Sequence, residues 1–404
     1  MYIRGVKVIV KKKTRGFICT TAHPVGCADN VRKQIEYVQS KGHLEGGKRV
    51  LVIGASTGYG LASRIVQAFG SNASTIGVFF EKPAVKKRTA TAGWYNSLAF
   101  EQEAEKQGLY SKSFNGDAFS SEMKETIIKT IKEDLGTVDM VVYSLASPRR
   151  QMPDTGEVKQ SVLKPIGFTY SNKTVDFHTG VISDISVDSA TPEEVQATVD
   201  VMGGDDWALW MKALKEAGVL AEGVKTVAYS YIGPSVTHAV YREGTIGQAK
   251  AHLEATADVI AKDISDLSGQ AYVSVNKALV TQSSSAIPVI PLYIAALYKV
   301  MKEKGSHENC IEQCYRLFDA FLFENEVPVD EEGRIRIDDW EMEDDVQEAV
   351  LKVWEDLNSD NIDTLTDIKG YREEFYQLFG FDIDGIDYEK DIEIDITHPN
   401  VETI

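Results

Sequence analysis

Residues 49–62 read RVLVIGASTGYGLA, and this stretch decides the fold class. The run RVLVI is apolar and rich in β-branched residues, which predicts a buried strand. Gly54, Gly58 and Gly60 follow in a Gly-x-x-x-Gly-x-Gly pattern, where the spacing of apolar residues changes to that of a helix. Such a turn lets the backbone approach a pyrophosphate, which then meets the free amides and positive dipole end of the helix. The stretch therefore predicts the strand, turn and helix of a dinucleotide site.

The same alternation of strands and helices continues along the chain. Further apolar, β-branched runs that predict strands lie at residues 75–80, 138–144, 225–232 and 271–275. Helical spacing of apolar residues occurs at residues 61–69, 120–135, 246–264 and 292–304. Near-continuous apolar strands separated by helices are typical of a parallel sheet covered on both faces. The predicted fold class is therefore α/β, with helices on both faces of a parallel sheet.

One segment in the middle of the chain breaks this rhythm. Residues 148–207 contain turn residues and short alternating runs, and they show no long helix. A connection of this length inside a compact domain usually has a function. We interpret it as an inserted lid or a wall on the substrate side.

The end of the chain differs from the rest in charge. The 404 residues carry a formal net charge of −18, and residues 324–404 alone hold 27 acidic and 6 basic side chains. Val346, Val350 and Trp354 recur there at helical spacing, which predicts a helix that packs on the body of the protein. We therefore divide the chain into a catalytic domain at residues 1–323 and an acidic C-terminal extension at residues 324–404.

Composition argues against two classes of partner. So acidic a chain is a poor partner for nucleic acid. The longest apolar run, residues 286–300, is too short for a membrane span and contains two prolines. Near the start, Val6, Val8 and Val10 alternate with polar residues, which predicts a strand rather than a targeting segment. We expect neither a nucleic-acid partner nor a membrane span.

Cysteine and histidine usage points to a reducing compartment without a metal site. Four cysteines make no disulfide framework for a chain of this length, which favours the cytoplasm; they are Cys19, Cys27, Cys310 and Cys314. His307 precedes the last two at a spacing that suits one helix face, but no fourth ligand is evident. We predict no metal.

An acidic residue follows the second predicted strand. Glu81 lies 21 residues after Gly60. A carboxylate at this position can accept both hydroxyls of an adenine ribose and repels a 2′-phosphate. NADH is therefore favoured over NADPH, although four basic side chains within residues 82–88 offer a phosphate an alternative.

Two loops at the ends of later strands would lie at the same edge of the sheet. Asp117 and Ala118 follow a short strand and are placed to cap the adenine. Leu145 and Ala146 follow the run 138–144, where a chain of small residues can pass beside the nicotinamide ribose. Each loop is equally typical of an ordinary turn, so position relative to the sheet is the argument for both.

A tyrosine and a lysine form the second chemical signal. Short-chain reductases with this architecture pair a tyrosine with a lysine one helical turn later, because the lysine charge favours hydrogen-bond donation by the phenol. Tyr-x3-Lys occurs only at Tyr37 and Tyr298, and neither lies on the expected helix. Tyr241 and Lys250, which follow the run 225–232, are better placed although nine positions separate them.

The local sequence offers a way to bring these two residues together. Nine positions on one helix would place the side chains on opposite faces. Thr245 and Gln248 fit a capping box, which predicts that the helix begins near Thr245 and leaves Tyr241 on the preceding loop. Tyr241 is then free to reach the face that bears Lys250. One other tyrosine and lysine, inside an apolar helix, have the same spacing, so spacing alone is weak.

Several stretches of the chain resemble one known family. They are GASTGYG, TAGWYN, NGDAFS, YSLASP, MGGDDW, AYSYIGP, YREGTIGQAK, VNKALVTQSSSAIPVIPLY, RIDDWEM and GFDIDGIDY. They are similar to the FabV-type enoyl-acyl-carrier-protein (ACP) reductases and the related trans-2-enoyl-CoA reductases, nearly from end to end. Tyr-x8-Lys is that family's distinguishing signature among enoyl reductases.

The resemblance implies a fold and an activity. Such proteins are monomeric, enlarged Rossmann enzymes of the short-chain-reductase type. They use NADH to reduce the 2,3-double bond of enoyl thioesters in fatty acid synthesis, so the implied substrate is an enoyl-CoA or an enoyl-ACP. The C-terminal part of the family bears a flavin-binding label, but residues 324–404 do not resemble a flavin site and we predict no FAD.

Residue roles follow from the same resemblance. Tyr241 is implied as the proton donor, Lys250 as a catalytic residue that also contacts the cofactor, and Tyr231 as a substrate contact. Tyr231 is equally typical of a core tyrosine at a strand end. The implied cofactor contacts are Gly54, Ala55, Ser56, Thr57, Gly58, Tyr59, Phe80, Glu81, Asp117, Ala118, Leu145, Ala146, Lys250, Leu279, Val280 and Thr281.

Two other functions compete with this hypothesis. One is a short-chain carbonyl reductase that acts on 3-ketoacyl thioesters, and the absence of a well-placed Tyr-x3-Lys argues against it. The other is a non-catalytic dinucleotide-binding module, which leaves the joint occurrence of Tyr241 and Lys250 unexplained.

Overall fold

The structure is a computed structural model that describes residues 7–404. Its strands are β1 (Lys7–Val8), β2 (Thr14–Arg15), β3 (Ile18–Cys19), β4 (Arg49–Ile53), β5 (Ser74–Phe79), β6 (Ser111–Asn115), β7 (Val138–Tyr143), β8 (Arg149–Gln151), β9 (Val158–Gln160), β10 (Tyr170–Asp176), β11 (Val181–Val187), β12 (Leu220–Ser230), β13 (Gln270–Val275), β14 (Ile335–Arg336), β15 (Ile392–Glu393) and β16 (Val401–Thr403). Its α-helices are α1 (Pro24–Ser40), α2 (Gly58–Ile65), α3 (Ala92–Lys106), α4 (Ser121–Thr130), α5 (Pro192–Met202), α6 (Asp205–Glu216), α7 (Ser235–His238), α8 (Thr245–Asp263), α9 (Ile290–Lys304), α10 (Cys310–Leu317), α11 (Asp344–Asp356), α12 (Ile362–Leu365) and α13 (Ile368–Gln377). Three of these helices, α2, α4 and α10, continue into π-helical turns at Val66–Gly70, Ile131–Leu135 and Phe318–Leu322.

Eight strands form one parallel sheet at the centre of the molecule. Their order is β14-β13-β12-β7-β4-β5-β6-β16, and every neighbouring pair is parallel. The six inner strands, in the order β13-β12-β7-β4-β5-β6, have the Rossmann arrangement. Strands β5 and β6 are added on one side of β4, and β7, β12 and β13 are added on its other side, so the strand order reverses between β4 and β7. Ligands bind outside the carboxyl ends of the strands at such a reversal. The predicted α/β class is confirmed.

The inner strands are apolar because helices cover both faces of the sheet. In β4, Val50 and Val52 face a core shared with α2, while Leu51 and Ile53 face a second core shared with α6, and all four side chains are fully buried. Alternate residues of a strand point to opposite faces of the sheet. A strand that is buried on both faces therefore carries apolar residues at successive positions instead of alternating apolar and polar ones. The run RVLVI therefore forms a central strand.

The inserted segment contains more helix than its sequence suggested. Residues 148–207 form two antiparallel hairpins, β8–β9 and β10–β11, followed by α5. The prediction that this segment has no long helix is wrong. Thr191 and Glu194 form a capping box at the start of α5, with Pro192 in its first turn, a signal that the pattern of turn residues concealed.

The C-terminal extension packs on the body and extends the sheet. Its helices α11 and α13 lie against α9, and Val346, Val350 and Trp354 are buried in the core they share. The predicted helix is therefore present. Its strands β14 and β16 add one strand to each edge of the sheet. The division at residues 323 and 324 stays a prediction, since the two parts share one hydrophobic core.

The N-terminal strand is shorter than predicted. β1 pairs with β15 of the C-terminal extension, and it ends at Val8. Val10 is buried in the core but lies outside a strand. Val6 lies outside the described residues.

The described part of the chain carries neither a candidate membrane span nor a cluster of metal ligands. Within residues 7–404 no helix is long and apolar enough to cross a membrane. The same residues contain no group of three or more His, Cys, Asp or Glu side chains arranged to hold a metal ion. All four cysteines are free thiols. The absence of a metal requirement stays a prediction.

Candidate active site

The glycine-rich turn lies between β4 and α2, at the carboxyl edge of the sheet. Gly58 has φ +53°, and a Cβ atom at Gly60 would lie 1.9 Å from the carbonyl oxygen of Gly54. A Cβ at Gly58 would meet nothing closer than Thr281 Cγ2, at 4.0 Å. No side chain caps the start of α2, where Thr57 is the N-cap residue. The turn is thus closely packed at Gly60 and open in front of Gly58. On this open side, the free amides at the start of α2 can meet a phosphate.

Glu81 is held beside this turn by three hydrogen bonds. Ser56 Oγ donates to Glu81 Oε1 at 2.7 Å. Asn115 accepts from the Glu81 amide at 2.7 Å and donates to the Glu81 carbonyl at 3.1 Å. Burial raises the pKa of Glu81, while the hydroxyl groups of Thr91 and Ser56 oppose the rise. The carboxylate therefore lies beside the glycine-rich turn. The side chain of the neighbouring Phe80 is 75% exposed.

The two predicted loops lie at the carboxyl ends of β6 and β7, on the same edge of the sheet. Ala118 is buried, and its carbonyl accepts from Lys124 Nζ and Trp210 Nε1. Asp117 and Leu145 are half-buried, while Ala146 is exposed. The sequence-based expectation of which loops reach this edge agrees with the topology.

Tyr231 and Tyr241 are in direct contact at the end of β12. Their ring centroids lie 4.8 Å apart, with an angle of 81° between the ring planes. Tyr241 is 8% exposed, and burial raises the pKa of its phenol far above the usual value. Its hydroxyl makes no hydrogen bond within residues 7–404. Tyr231 differs, since its hydroxyl donates to Glu341 Oε1 at 3.1 Å.

Lys250 lies on α8 and points to the same strand end. Its Nζ donates to the carbonyl of Tyr229 at 2.7 Å. Burial lowers the pKa of Lys250 to about 8, although the charge of Glu254 opposes the shift. Desolvation of the ammonium therefore favours the neutral amine relative to a lysine in water.

The start of α8 agrees with the sequence, but the reason we gave for it is wrong. The helix begins at Thr245, so Tyr241 lies on the preceding loop as predicted. The N-cap residue is Gly244, and no side chain caps the helix. Thr245 instead donates its hydroxyl to the Val162 carbonyl and accepts from the Lys164 amide. The inserted segment, rather than a capping box, fixes the beginning of α8.

The segment Leu279, Val280 and Thr281 follows β13 and faces the glycine-rich turn. The Val280 amide donates to Tyr298 Oη at 3.1 Å, and the Leu279 carbonyl accepts from Ser284 Oγ at 2.7 Å. Tyr59 joins the two sides, since its hydroxyl donates to the Lys277 carbonyl at 3.0 Å. The structure thus brings the predicted cofactor residues of the first and last inner strands to one edge.

Sequence reasoning missed two groups next to this site. Glu341 is fully buried and contacts Tyr231, although 110 positions separate them. Lys277 is also buried, and burial lowers its pKa to about 8. No local spacing links either residue to the nucleotide turn, so only the folded chain reveals them.

Three family models match consecutive parts of the chain. "Trans-2-enoyl-CoA reductase catalytic region" matches residues 88–323, and "NAD(P)H binding domain of trans-2-enoyl-CoA reductase" matches residues 9–86. "Enoyl reductase FAD binding domain" matches residues 329–392. The first model alone covers more than half of the chain.

Two features of the described residues in the third matched region argue against a flavin site. Tyr371 and Phe375 are fully buried in the core shared with α9, so neither presents a ring face for stacking. The cleft beside this region is lined by Glu373, Asp382 and Asp384 among others, and these carboxylates would repel the phosphates of FAD. The absence of FAD nevertheless stays a prediction.

Relatives and solved structures match over nearly the whole length. An NADH-dependent enoyl-acyl-carrier-protein reductase of Flavobacterium johnsoniae is 62% identical, over 95% of this chain and 97% of the relative. A trans-2-enoyl-CoA reductase (NADH) of Ruminiclostridium cellulolyticum is 58% identical, over 96% and 98%. The crystal structure of Treponema denticola trans-2-enoyl-CoA reductase in complex with NAD superimposes with a TM-score of 0.93 at 52% identity, over 97% of this chain and 100% of that one. The chain belongs to the family of trans-2-enoyl-CoA and NADH-dependent enoyl-ACP reductases.

Proposed function

We propose that this protein reduces the 2,3-double bond of trans-2-enoyl thioesters with NADH, in fatty acid synthesis. The observation that carries the proposal is the unpartnered hydroxyl of the buried Tyr241, next to Tyr231 and at the strand end where Lys250 lies. The Tyr241 ring is buried, whereas its hydroxyl oxygen is not among the fully buried polar atoms of residues 7–404 that lack a partner, so this oxygen stays accessible to a ligand. A ligand with an acceptor oxygen, such as a thioester carbonyl, would supply a hydrogen-bond partner.

The cofactor would lie across the reversal in strand order between β4 and β7. The open front of the turn at Gly58 would receive the pyrophosphate, and Glu81 would accept the hydroxyls of the adenine ribose. Asp117 with Ala118 and Leu145 with Ala146 would line the path, and residues 279–281 would meet the nicotinamide. NADH, when bound, supplies the hydride for C3 of the enoyl group.

Tyr241 would act on the thioester oxygen. Reduction at C3 places negative charge on that oxygen, and a donor aimed at developing charge lowers the barrier. Burial raises the pKa of Tyr241, so the phenol keeps its proton at neutral pH. Lys250 would favour this donation through its positive charge and would also contact the nicotinamide ribose. The proton for C2 would come from Tyr241 directly or through water.

An apolar wall would contact the acyl chain. The segment from Ser283 to Tyr298 contains the buried side chains Ile287, Val289, Ile290, Leu292 and Ile294. They belong to the core that also contains Tyr241. The segment would serve both as core and as the acyl-chain wall.

The carrier, assembly and location form part of the same proposal. Relatives near 60% identity bear names for both carriers, enoyl-ACP and enoyl-CoA. Since the reacting thioester is the same, we expect turnover with both carriers and a difference mainly in KM. We also expect a monomer in the cytoplasm, which light scattering and cell fractionation would test.

The test is turnover of the purified protein with matched substrates and variants. We expect NADH oxidation with crotonyl-CoA and none with acetoacetyl-CoA, which a carbonyl reductase would accept. Tyr241→Phe should bind NADH and lose about 100- to 1000-fold in kcat, the usual effect of losing one donor to an oxyanion. Tyr37→Phe is the matched control, because Tyr37 lies on α1 with its ring against Tyr315 and belongs to a Tyr-x3-Lys match. Near-native kcat in Tyr241→Phe would contradict the proposed donor.

A further inference from the structure

A buried carboxylate of the C-terminal extension reaches the catalytic end of the sheet. Glu341 is fully buried, and its two oxygens face different partners. Oε1 accepts from the hydroxyl of Tyr293 at 2.7 Å and from that of Tyr231 at 3.1 Å. Oε2 accepts from the amide of Ala278 at 2.7 Å. Burial raises the pKa of Glu341, while the hydrogen bonds from Tyr293 and Ala278 and the charge of Lys277 oppose the rise and favour the ionised carboxylate.

The pattern of donors determines the direction of the hydrogen bond from Tyr231. Tyr293 also accepts from Gln347 Nε2 at 3.2 Å, which leaves its own proton for Glu341. The Ala278 amide can only donate. Glu341 therefore acts as the acceptor throughout, and the hydroxyl proton of Tyr231 points to Glu341 and away from Tyr241. The Tyr231 hydroxyl is left with lone pairs to accept a hydrogen bond, whereas Tyr241 keeps a proton that no group within residues 7–404 accepts.

The second oxygen of Glu341, Oε2, binds the backbone next to the proposed cofactor segment. Ala278 immediately precedes residues 279–281, the segment expected to meet the nicotinamide. A second carboxylate of the extension supports the same segment, since Glu374 accepts from Tyr298 at 2.9 Å and Tyr298 accepts from the Val280 amide at 3.1 Å. The extension thus holds the segment at two successive points.

We propose that Glu341 is a positioning residue of the active site. It fixes Tyr231 as a hydrogen-bond acceptor, which leaves proton donation to Tyr241, and it fixes the start of the segment at residues 279–281. The acidic C-terminal extension thereby completes the catalytic site. This inference rests on the roles proposed above for Tyr231 and Tyr241.

The chain offers a matched control in the same segment. Asp338 is also fully buried and lies three residues before Glu341. Both of its oxygens accept from Arg336, at 2.8 Å each, and its charge opposes ionisation of Glu341, so its removal should favour the Glu341 carboxylate. Asp338→Asn therefore removes a buried carboxylate charge from the extension without touching Tyr231 or Ala278.

The experiment is a double-mutant cycle between Glu341→Gln and Tyr231→Phe. Glutamine has one acceptor oxygen, so it cannot accept from Ala278 and from the tyrosines together. At saturating NADH we expect each single variant to lose about tenfold in kcat, and the double variant to lose no more than about twofold beyond either, because contacting residues are strongly non-additive. Losses that multiply in the double variant would overturn the proposal.

Binding of NADH separates the two contacts of Glu341. We expect Glu341→Gln to weaken NADH binding several-fold in a fluorescence titration, with either tyrosine or phenylalanine at position 231, because the Ala278 contact does not pass through Tyr231. Tyr231→Phe and Asp338→Asn alone should leave NADH affinity unchanged. If Asp338→Asn reproduces both effects of Glu341→Gln, the extension acts only through stability and the positioning role is wrong.

Two further measurements keep the test decisive. Melting temperatures of all variants reveal any failure to fold. If Glu341→Gln does not fold, Tyr231→Phe carries the test alone: its loss in kcat should be at least tenfold smaller than that of Tyr241→Phe, and an equal loss would overturn the proposal. Near-native kcat in Tyr241→Phe would instead refute the donor role assigned under the proposed function, independently of Glu341.

Discussion

Ser56 Oγ donates to Glu81 Oε1 at 2.7 Å, which links the glycine-rich turn to the acid that follows the second inner strand. The two residues are 25 positions apart, yet the parallel pairing of β4 with β5 brings their strand ends together. The carboxylate is thus held in place in the protein alone. Preorganisation of this kind reduces the cost of ordering a side chain when a ligand binds.

Glu81 should therefore determine the choice of cofactor. Glu81→Ala removes both the acceptor for the ribose hydroxyls and the charge that repels a 2′-phosphate. We expect the ratio of kcat/KM for NADPH to that for NADH to rise, with weaker binding of NADH. Steady-state kinetics with both cofactors measure this ratio.

Two variants sharpen this measurement. Glu81→Gln removes the charge and keeps one acceptor, so it should relax discrimination with a smaller loss of NADH affinity. Glu125→Ala removes an exposed acid on α4 and should change neither. An unchanged ratio in Glu81→Ala would place the adenine ribose elsewhere.

The glycines of the turn should separate into a structural and a binding position. Gly60→Ala would place a methyl group 1.9 Å from the Gly54 carbonyl, so we expect a loss of at least about 1–3 kcal/mol of stability. Gly58→Ala meets no protein atom closer than 4.0 Å and bears only the cost of a left-handed backbone, about 1–2 kcal/mol. Its methyl group would, however, occupy the space proposed for the cofactor.

Thermal melts and NADH titrations distinguish the two positions. We expect Gly58→Ala to remain folded with strongly reduced NADH affinity, and Gly60→Ala to melt at a clearly lower temperature. Gly58→Ala with native affinity would contradict the placement of the pyrophosphate in front of the turn.

How far the sequence predicts this protein depends on how local each signal is. The strand β4 and its turn were predictable, because four apolar residues and three glycines define them over a dozen positions. Even α8 was placed correctly, although its start is fixed by Val162 and Lys164 from the insertion rather than by its own side chains. The contact between Tyr231 and Glu341 had no such signal, because it joins β12 to an acidic tail whose charges look like a solvated surface.

Lys250 should act through its charge and its contact with the cofactor. Lys250→Met keeps most of the apolar stem and removes the ammonium that donates to the Tyr229 carbonyl, so folding should survive. We expect weaker NADH binding together with lower kcat, whereas Tyr241→Phe should change mainly kcat. Titration of NADH into the methionine variant is the measurement. Native affinity with collapsed turnover would show that Lys250 acts on the substrate side.

The loss of charge on Lys250 should set the alkaline limit of activity. Burial lowers its pKa to about 8 in the folded protein, so the cation is lost as pH rises through this value. Tyr241 does not produce this limit, because burial raises the pKa of its phenol. We therefore expect kcat/KM, which reports the free enzyme, to fall above about pH 8. Stability should not fall with it, because a lysine with a depressed pKa binds fewer protons in the folded state, and its contribution to stability increases between about pH 8 and its unfolded pKa.

Arginine variants identify the lysine that is responsible. Lys250→Arg keeps a charge that does not titrate in this range, so the alkaline limb should move upward even though the planar guanidinium reduces the overall rate. Lys277 is the matched control, since burial lowers its pKa to about 8 as well. Its Nζ donates to the Ala278 carbonyl at 3.1 Å rather than to the Tyr229 carbonyl that Lys250 binds. We expect Lys277→Arg to leave the limb in place, and a limb that moves only in Lys277→Arg would assign the titration to that lysine instead.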